Sequence, residues 1–189
     1  MTDETEHKFT YPEGKISWDI RYAGNDTYRN YTIMHQTNSS PKGTVIIIML
    51  NPGSFKDKTS FGKDNTLRII RGIFENSGYD IEVLNLYNRA NTSPKKLFEL
   101  PEKERNEDNP VLERLKTCGL DTRIVLAWGK QGEEKRTETD PILAIIRERK
   151  FHINGLNPDG YYMHPRYIQI KKRKDELKLT VLKDAVHSQ

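Results

Sequence analysis

A single cysteine, Cys118, stands in the whole chain, so an internal disulfide is excluded, and no CxxC or Cys/His cluster has the spacing that zinc requires. Cys118 reads as a small, semi-buried residue at a helix end. No apolar run approaches the length of a membrane span. The opening Met1-Thr-Asp-Glu-Thr-Glu6 is acidic and polar, unlike a signal peptide, so cytoplasmic residence and no membrane partner are expected. A Walker loop, GxGxxG, GxSxG and HExxH are all missing, which argues against P-loop ATPases, nicotinamide dehydrogenases, common esterases and zinc proteases. No cofactor and no metal site is expected. A strong charge of one sign is missing too: 31 Lys and Arg stand against 27 Asp and Glu, for a net +4. Bulk charge therefore does not establish nucleic-acid binding, although a pI of about 9.0 permits it. There is no internal repeat.

What is present suffices for one globular core: 189 residues, 34% of them hydrophobic. Residues 1–14, polar and closed by Pro12-Glu-Gly14, are expected to be a flexible tail, and residues 15–189 a single α/β domain, monomeric by default. Ile16 to Gln36, rich in aromatics and broken at Gly24-Asn-Asp26, predicts a β-hairpin whose second arm is Tyr28 to Met34. Strands follow at Val45–Leu50, Ile81–Leu86, Ile124–Ala127 and near Phe151–Leu156. Between them the spacing predicts a helix capped by Asp64 or Asn65 with Leu67, Ile70, Ile73 and Phe74 on one face and Gly78 beyond its end. A second helix is predicted over Asn109–Cys118, a third from Asp140-Pro141 through Arg149, and a basic loop near Lys95-Lys96. This alternation predicts a parallel sheet of about four strands with helices on both faces, a three-layer α/β/α fold, preceded by the N-terminal hairpin.

Three strands run directly into polar or turn-prone residues: Met49-Leu-Asn51-Pro52-Gly53, Val83-Leu-Asn85 and Leu126-Ala-Trp128-Gly129. In open α/β sheets the carboxyl ends of parallel strands form the ligand crevice, so Asn51, Asn85 and Trp128 mark a candidate site, closed by Met163-His164-Pro165. Taken singly each has a bland explanation. Asn-Pro-Gly is an ordinary turn, Asn85 a satisfied strand residue, His164 a loop residue before proline, and Trp128 core. Joint placement at one edge is what raises the functional reading.

The motifs Met49-Leu-Asn-Pro-Gly53, Asp64-Asn-Thr66, Asn85-Leu-Tyr-Asn-Arg89, Ala127-Trp-Gly129 and Asp159-Gly-Tyr-Tyr-Met-His-Pro165 occur in the order and spacing of a bacterial and phage family of unknown function, DUF1643, which the chain resembles over roughly residues 20 to 168. Gly53 takes the place of that pattern's Ser, and Asn88 that of a small or aromatic residue. The layout also resembles the uracil-DNA glycosylase superfamily. Met49 to Gly53 is similar to the Gly-Ile-Asn-Pro-Gly strand end of its mismatch-specific branch, and Asn85 and His164-Pro165 are similar to the strand-end Asn and His-Pro-Ser-Pro of its uracil-specific branch. Here Arg166-Tyr167 replaces the Ser-Pro segment.

That second resemblance implies a glycosylase-type fold and a nucleobase-recognising protein, most concretely a metal-free DNA glycosylase-like hydrolase with DNA or a nucleotide as partner. In N-glycosidic cleavage a water must be held on one side of the sugar and donors offered to the departing base on the other. Asn51 can orient the water and His164 can donate to the leaving base. Asn85 can read the donor and acceptor edge of a pyrimidine, Pro52 and Gly53 let backbone approach the ligand, and Trp128 with Phe55 or Phe61 can border or stack on the base. Arg68, Arg89 and Arg166 are candidates to hold phosphates, and Lys95-Lys96 and Lys171 to Lys174 to track a backbone. The alternative is a non-catalytic nucleic-acid or nucleotide-binding module on the same fold. Asp64 reads as a helix cap, which the family pattern places near the site.

Overall fold

The computed structural model describes residues 6–13, 16–24, 27–37, 40–53, 64–91, 93–149, 153–155 and 165. Phe55, Phe61, His164, Arg166 and the Lys171–Lys174 run lie outside the described residues. The elements are β1 (Glu6–Glu13), β2 (Ile16–Gly24), β3 (Arg29–Gln36), β4 (Thr44–Met49), α1 (Asn65–Phe74), β5 (Asp80–Asn85), α2 (Pro94–Phe98), a 3-10 turn (Glu102–Glu104), α3 (Val111–Thr117), β6 (Arg123–Leu126), α4 (Gly129–Glu133), α5 (Arg136–Glu148) and β7 (Ile153–Gly155). All seven strands join one mixed sheet in the order β1-β2-β3-β5-β4-β6-β7. The pairs β1/β2, β2/β3 and β3/β5 are antiparallel, while β5/β4, β4/β6 and β6/β7 are parallel.

Strand β4 shows why the parallel half forms. Its Val45-Ile-Ile-Ile-Met49 run is buried throughout, which suits a strand covered on both faces. Val45, Ile47 and Met49 join the cluster that holds Leu67, Ile70, Ile73 and Phe74 of α1, together with Trp18 and Ile20 of β2. Ile46, Ile48 and Leu50 join the opposite cluster with Val111 and Leu115 of α3 and Ile142 and Ile146 of α5. Helix α1 thus covers one face, and α3 and α5 the other. Buried Glu82 would be a charge in the middle of the sheet, but Arg114 of α3 grips it with two Nε contacts of 2.9 Å and an Nη2 contact of 2.8 Å.

The predicted hairpin is present as β2 and β3, with Trp18↔Gln36 to Tyr22↔Thr32 in register. Three expectations are corrected. Residues 6–13 are strand, where a tail to residue 14 was expected. Their polar residues form one face: Glu6, Lys8, Thr10 and Pro12 are exposed, while His7 stacks on Tyr22 at 4.6 Å and the Tyr11 ring lies 4.8 Å from the buried Arg71 guanidinium. Pro12 is tolerated because β1 is an edge strand. Helix α5 begins at Arg136, ahead of the expected Asp140-Pro141, with Pro141 inside it. The ring has no N–H to offer the Thr137 carbonyl, and both residues are exposed, so the lost bond falls on the solvent side of the helix. Finally, α2 falls where a basic loop was expected, and α4 where no element was predicted. Each is five residues long, too short to show a helical period.

Candidate functional site at the carboxyl edge

The chain leaves β4 over the α1 face to reach β5 on one side, and leaves β6 over the α5 face to reach β7 on the other. The loops after β4 and β6 therefore diverge at the carboxyl edge, the switch point at which open α/β sheets place ligands. Asn51-Pro52-Gly53 follows β4 and Ala127-Trp128-Gly129 follows β6.

Asn51 is half-buried, and its Nδ2 donates to the carbonyls of Asn91 at 2.7 Å and Pro52 at 3.1 Å. The backbone N–H of Asn91 returns a bond to the Pro52 carbonyl at 3.0 Å. Two carbonyl acceptors fix the amide's orientation. Its Oδ1 is left as the end that accepts no hydrogen bond among the described residues. Asn51 is thus a clamp between the loops after β4 and β5 as well as a candidate water-orienting group.

Asn85 ends β5 directly beside Met49. Alternation with Ile81 and Val83 puts its side chain on the α1 face. It is 3% exposed, and its Oδ1 is buried with no hydrogen-bond partner among the described residues. Its backbone carbonyl is well held, accepting from Asn109 Nδ2 at 3.0 Å. The strand end is therefore rigid while the carboxamide oxygen stays unsatisfied.

Helix α1 returns antiparallel to β4, so its first turn lies at the same edge. Asp64 caps it, Oδ1 accepting from the N–H groups of Thr66 at 2.9 Å and Leu67 at 3.0 Å. The other oxygen lies against Gly53, where a Cβ would come within 2.8 Å of Asp64 Oδ2. Beneath the same loop is Arg29 of β3, 4% exposed, whose Nη1 donates to the Gly53 carbonyl at 3.0 Å. Burial pulls its guanidinium down to about 10, and the Asp64 carboxylate opposes that shift.

Trp128 falls on the other side of the sheet. Its indole is 1% exposed, joins the α3/α5 cluster, and donates from Nε1 to Glu133 Oε2 at 3.0 Å. Close packing at Gly132, where a Cβ would meet Trp128 Cβ at 2.6 Å, seats it there. The structure thus places Gly53 and, by strand alternation, Asn85 on the α1 side, ties Asn51 to the loop after β5, and leaves Trp128 in the opposite core. Arg89 is occupied locally, donating to Tyr28 Oη at 3.2 Å and the Glu104 carbonyl at 3.4 Å. Arg68 is exposed on α1 and bonds Asn65 Oδ1 at 2.6 Å. Pro165 is buried.

Sequence reasoning missed Arg29, Asn88 and Asn109. Asn88 is 1% exposed: its Nδ2 donates to Asn30 Oδ1 at 2.6 Å and to the Glu107 carbonyl, and its Oδ1 accepts from the Glu107 N–H at 2.9 Å. Asn109 donates to the Asn85 and Leu86 carbonyls and to Asn106 Oδ1. The available signal was the density of asparagines between Asn85 and Asn109, since asparagine bonds backbone in turns. Among the described residues, no group of three or more His, Cys, Asp or Glu side chains can hold a metal ion, and no helix is long and apolar enough to cross a membrane.

No curated protein and no solved structure matches the chain. The family described as "Protein of unknown function (DUF1643)" matches residues 31–166, which take in the strand-end asparagines, the Asp64 cap and the Trp128 turn. With so much of the chain matched, including every strand from β4 to β7, the protein belongs to the DUF1643 family.

Proposed function

We propose that this protein recognises a nucleobase on the α1 side of the carboxyl edge and, most concretely, hydrolyses an N-glycosidic bond in DNA without a metal, on a three-layer fold of uracil-DNA glycosylase type. The observation that carries the reading is the orphaned Oδ1 of Asn85. A buried amide oxygen without a donor costs about 1–3 kcal/mol, which a ligand N–H would relieve. A carboxamide offers an acceptor beside a donor, and the complement is the N–H and C=O edge of a uracil- or thymine-like pyrimidine. Four contiguous parallel strands with covering helices on both faces support the fold assignment. The uncommitted Oδ1 of Asn51 supports a water-orienting role.

One observation favours the non-catalytic alternative. Both amide hydrogens of Asn51 serve the loop clamp, which explains that residue without any chemistry. The test is incubation with a panel of oligonucleotides, each carrying one modified or mismatched base, followed by alkaline cleavage of abasic sites. The expected result is strand cleavage at one class of pyrimidine, unchanged by EDTA. Tight binding with every base left attached would establish the binding module instead. Neither binding nor cleavage would overturn both nucleic-acid readings.

A further inference from the structure

We infer that Asp64 is the carboxylate that activates the attacking water in this site. The inference rests on the hydrolase reading above and supplies what that reading lacks, since Asn51 is neutral and cannot take a proton from water. Asp64 reaches the site from a fixed place. Its Oδ1 is held by the Thr66 and Leu67 N–H groups at the first turn of α1, whereas its Oδ2 accepts no hydrogen bond among the described residues and lies against the loop that carries Asn51. Asn85, whose buried orphan oxygen marks the ligand, projects on the face that α1 covers. Arg29 ties down the same loop, bonding the Gly53 carbonyl at 3.0 Å. A Cβ at position 53 would come within 2.8 Å of Asp64 Oδ2, so a larger residue there would require the Asp64 side chain to shift.

The step balances without an oxidant or a metal. The sugar C1′–N bond breaks and its electron pair leaves on the base nitrogen. The water oxygen bonds to C1′, its proton passes to Asp64 Oδ2, and the base anion takes up a proton from solvent as Asp64 releases its own.

Capping makes the test clean, because asparagine and serine cap helices about as well as aspartate but carry no carboxylate. Asp64→Asn and Asp64→Ser are compared with wild type on the panel oligonucleotide that wild type cleaves fastest, by single-turnover cleavage, equilibrium binding and thermal unfolding. Both variants are expected to stay folded, with a modest fall in unfolding temperature as the buried Arg29 loses a nearby opposite charge, to keep the wild-type affinity, and to cleave about 100-fold more slowly or worse. Cleavage by both within threefold of wild type, roughly the noise of such rates, would overturn the role of Asp64 and leave the hydrolase reading standing. Loss of fold by both variants would also overturn it, by making the carboxylate structural. A wild type that cleaves no oligonucleotide of the panel removes the hydrolase reading and this assignment with it.

Discussion

Two asparagines three positions apart, Asn85 and Asn88, are equally buried and treated in opposite ways. Asn88 spends its carboxamide on Asn30 and on both backbone groups of Glu107, and its own backbone joins Arg29 and Asn106. Asn85 has a held backbone carbonyl and an orphaned carboxamide oxygen. The loop region after β5 is therefore built for stability, and the strand end beside it stores an unmet demand for a hydrogen-bond donor. Because buried polar groups are almost always paired, the exception carries more information than the network.

That contrast breaks most visibly at Asn88. Asn88→Ala removes three side-chain hydrogen bonds and leaves buried partners on Asn30 and Glu107 unpaired. At about 1 kcal/mol each, the loss is about 3 kcal/mol, a fall of roughly 6–12 °C in unfolding temperature by calorimetry. Asn51 stands between the two regions, as a clamp and as a candidate site residue. Asn51→Ala loses two bonds, so about 2 kcal/mol and roughly 4–8 °C are expected, along with slower cleavage. An Asn51→Ala protein that cleaves slowly but melts like wild type would separate the roles that the geometry joins.

Trp128 sharpens the comparison from the opposite face. Trp128→Phe gives up the bond to Glu133 and some packed area, so about 1 kcal/mol is lost, roughly 2–4 °C, with base preference unchanged. A changed preference on the oligonucleotide panel would return Trp128 to the site.

The parallel strands were legible because continuous apolar runs such as Val45 to Leu50, short and rich in β-branched residues, suit strands buried on both faces, and their polar ends marked the edge. Asn51 and Asn85 were legible for the same reason. β1 was not, because its aromatic alternation is masked by the charges of its outer face, and α5 was shortened by reading Pro141 as a start. The supports of the site were illegible for a different reason. Arg29 bonds a carbonyl 24 positions away, and Asn88 a side chain 58 positions away, distances that only the sheet order closes. Trp128 had the correct edge but the wrong face, which strand alternation decides and a strand-end motif does not.

The central claim, that the Asn85 carboxamide is kept for a ligand and not for the fold, is tested most directly by Asn85→Leu, measured for unfolding temperature and for binding to the panel oligonucleotides. Leucine is branched like asparagine and replaces an unsatisfied polar group with an apolar one, so the account predicts an unfolding temperature within about 2 °C of wild type, or higher, together with loss of pyrimidine binding. A fall of about 6 °C or more, the size expected for Asn88, with binding retained, would contradict it and make Asn85 one more structural asparagine.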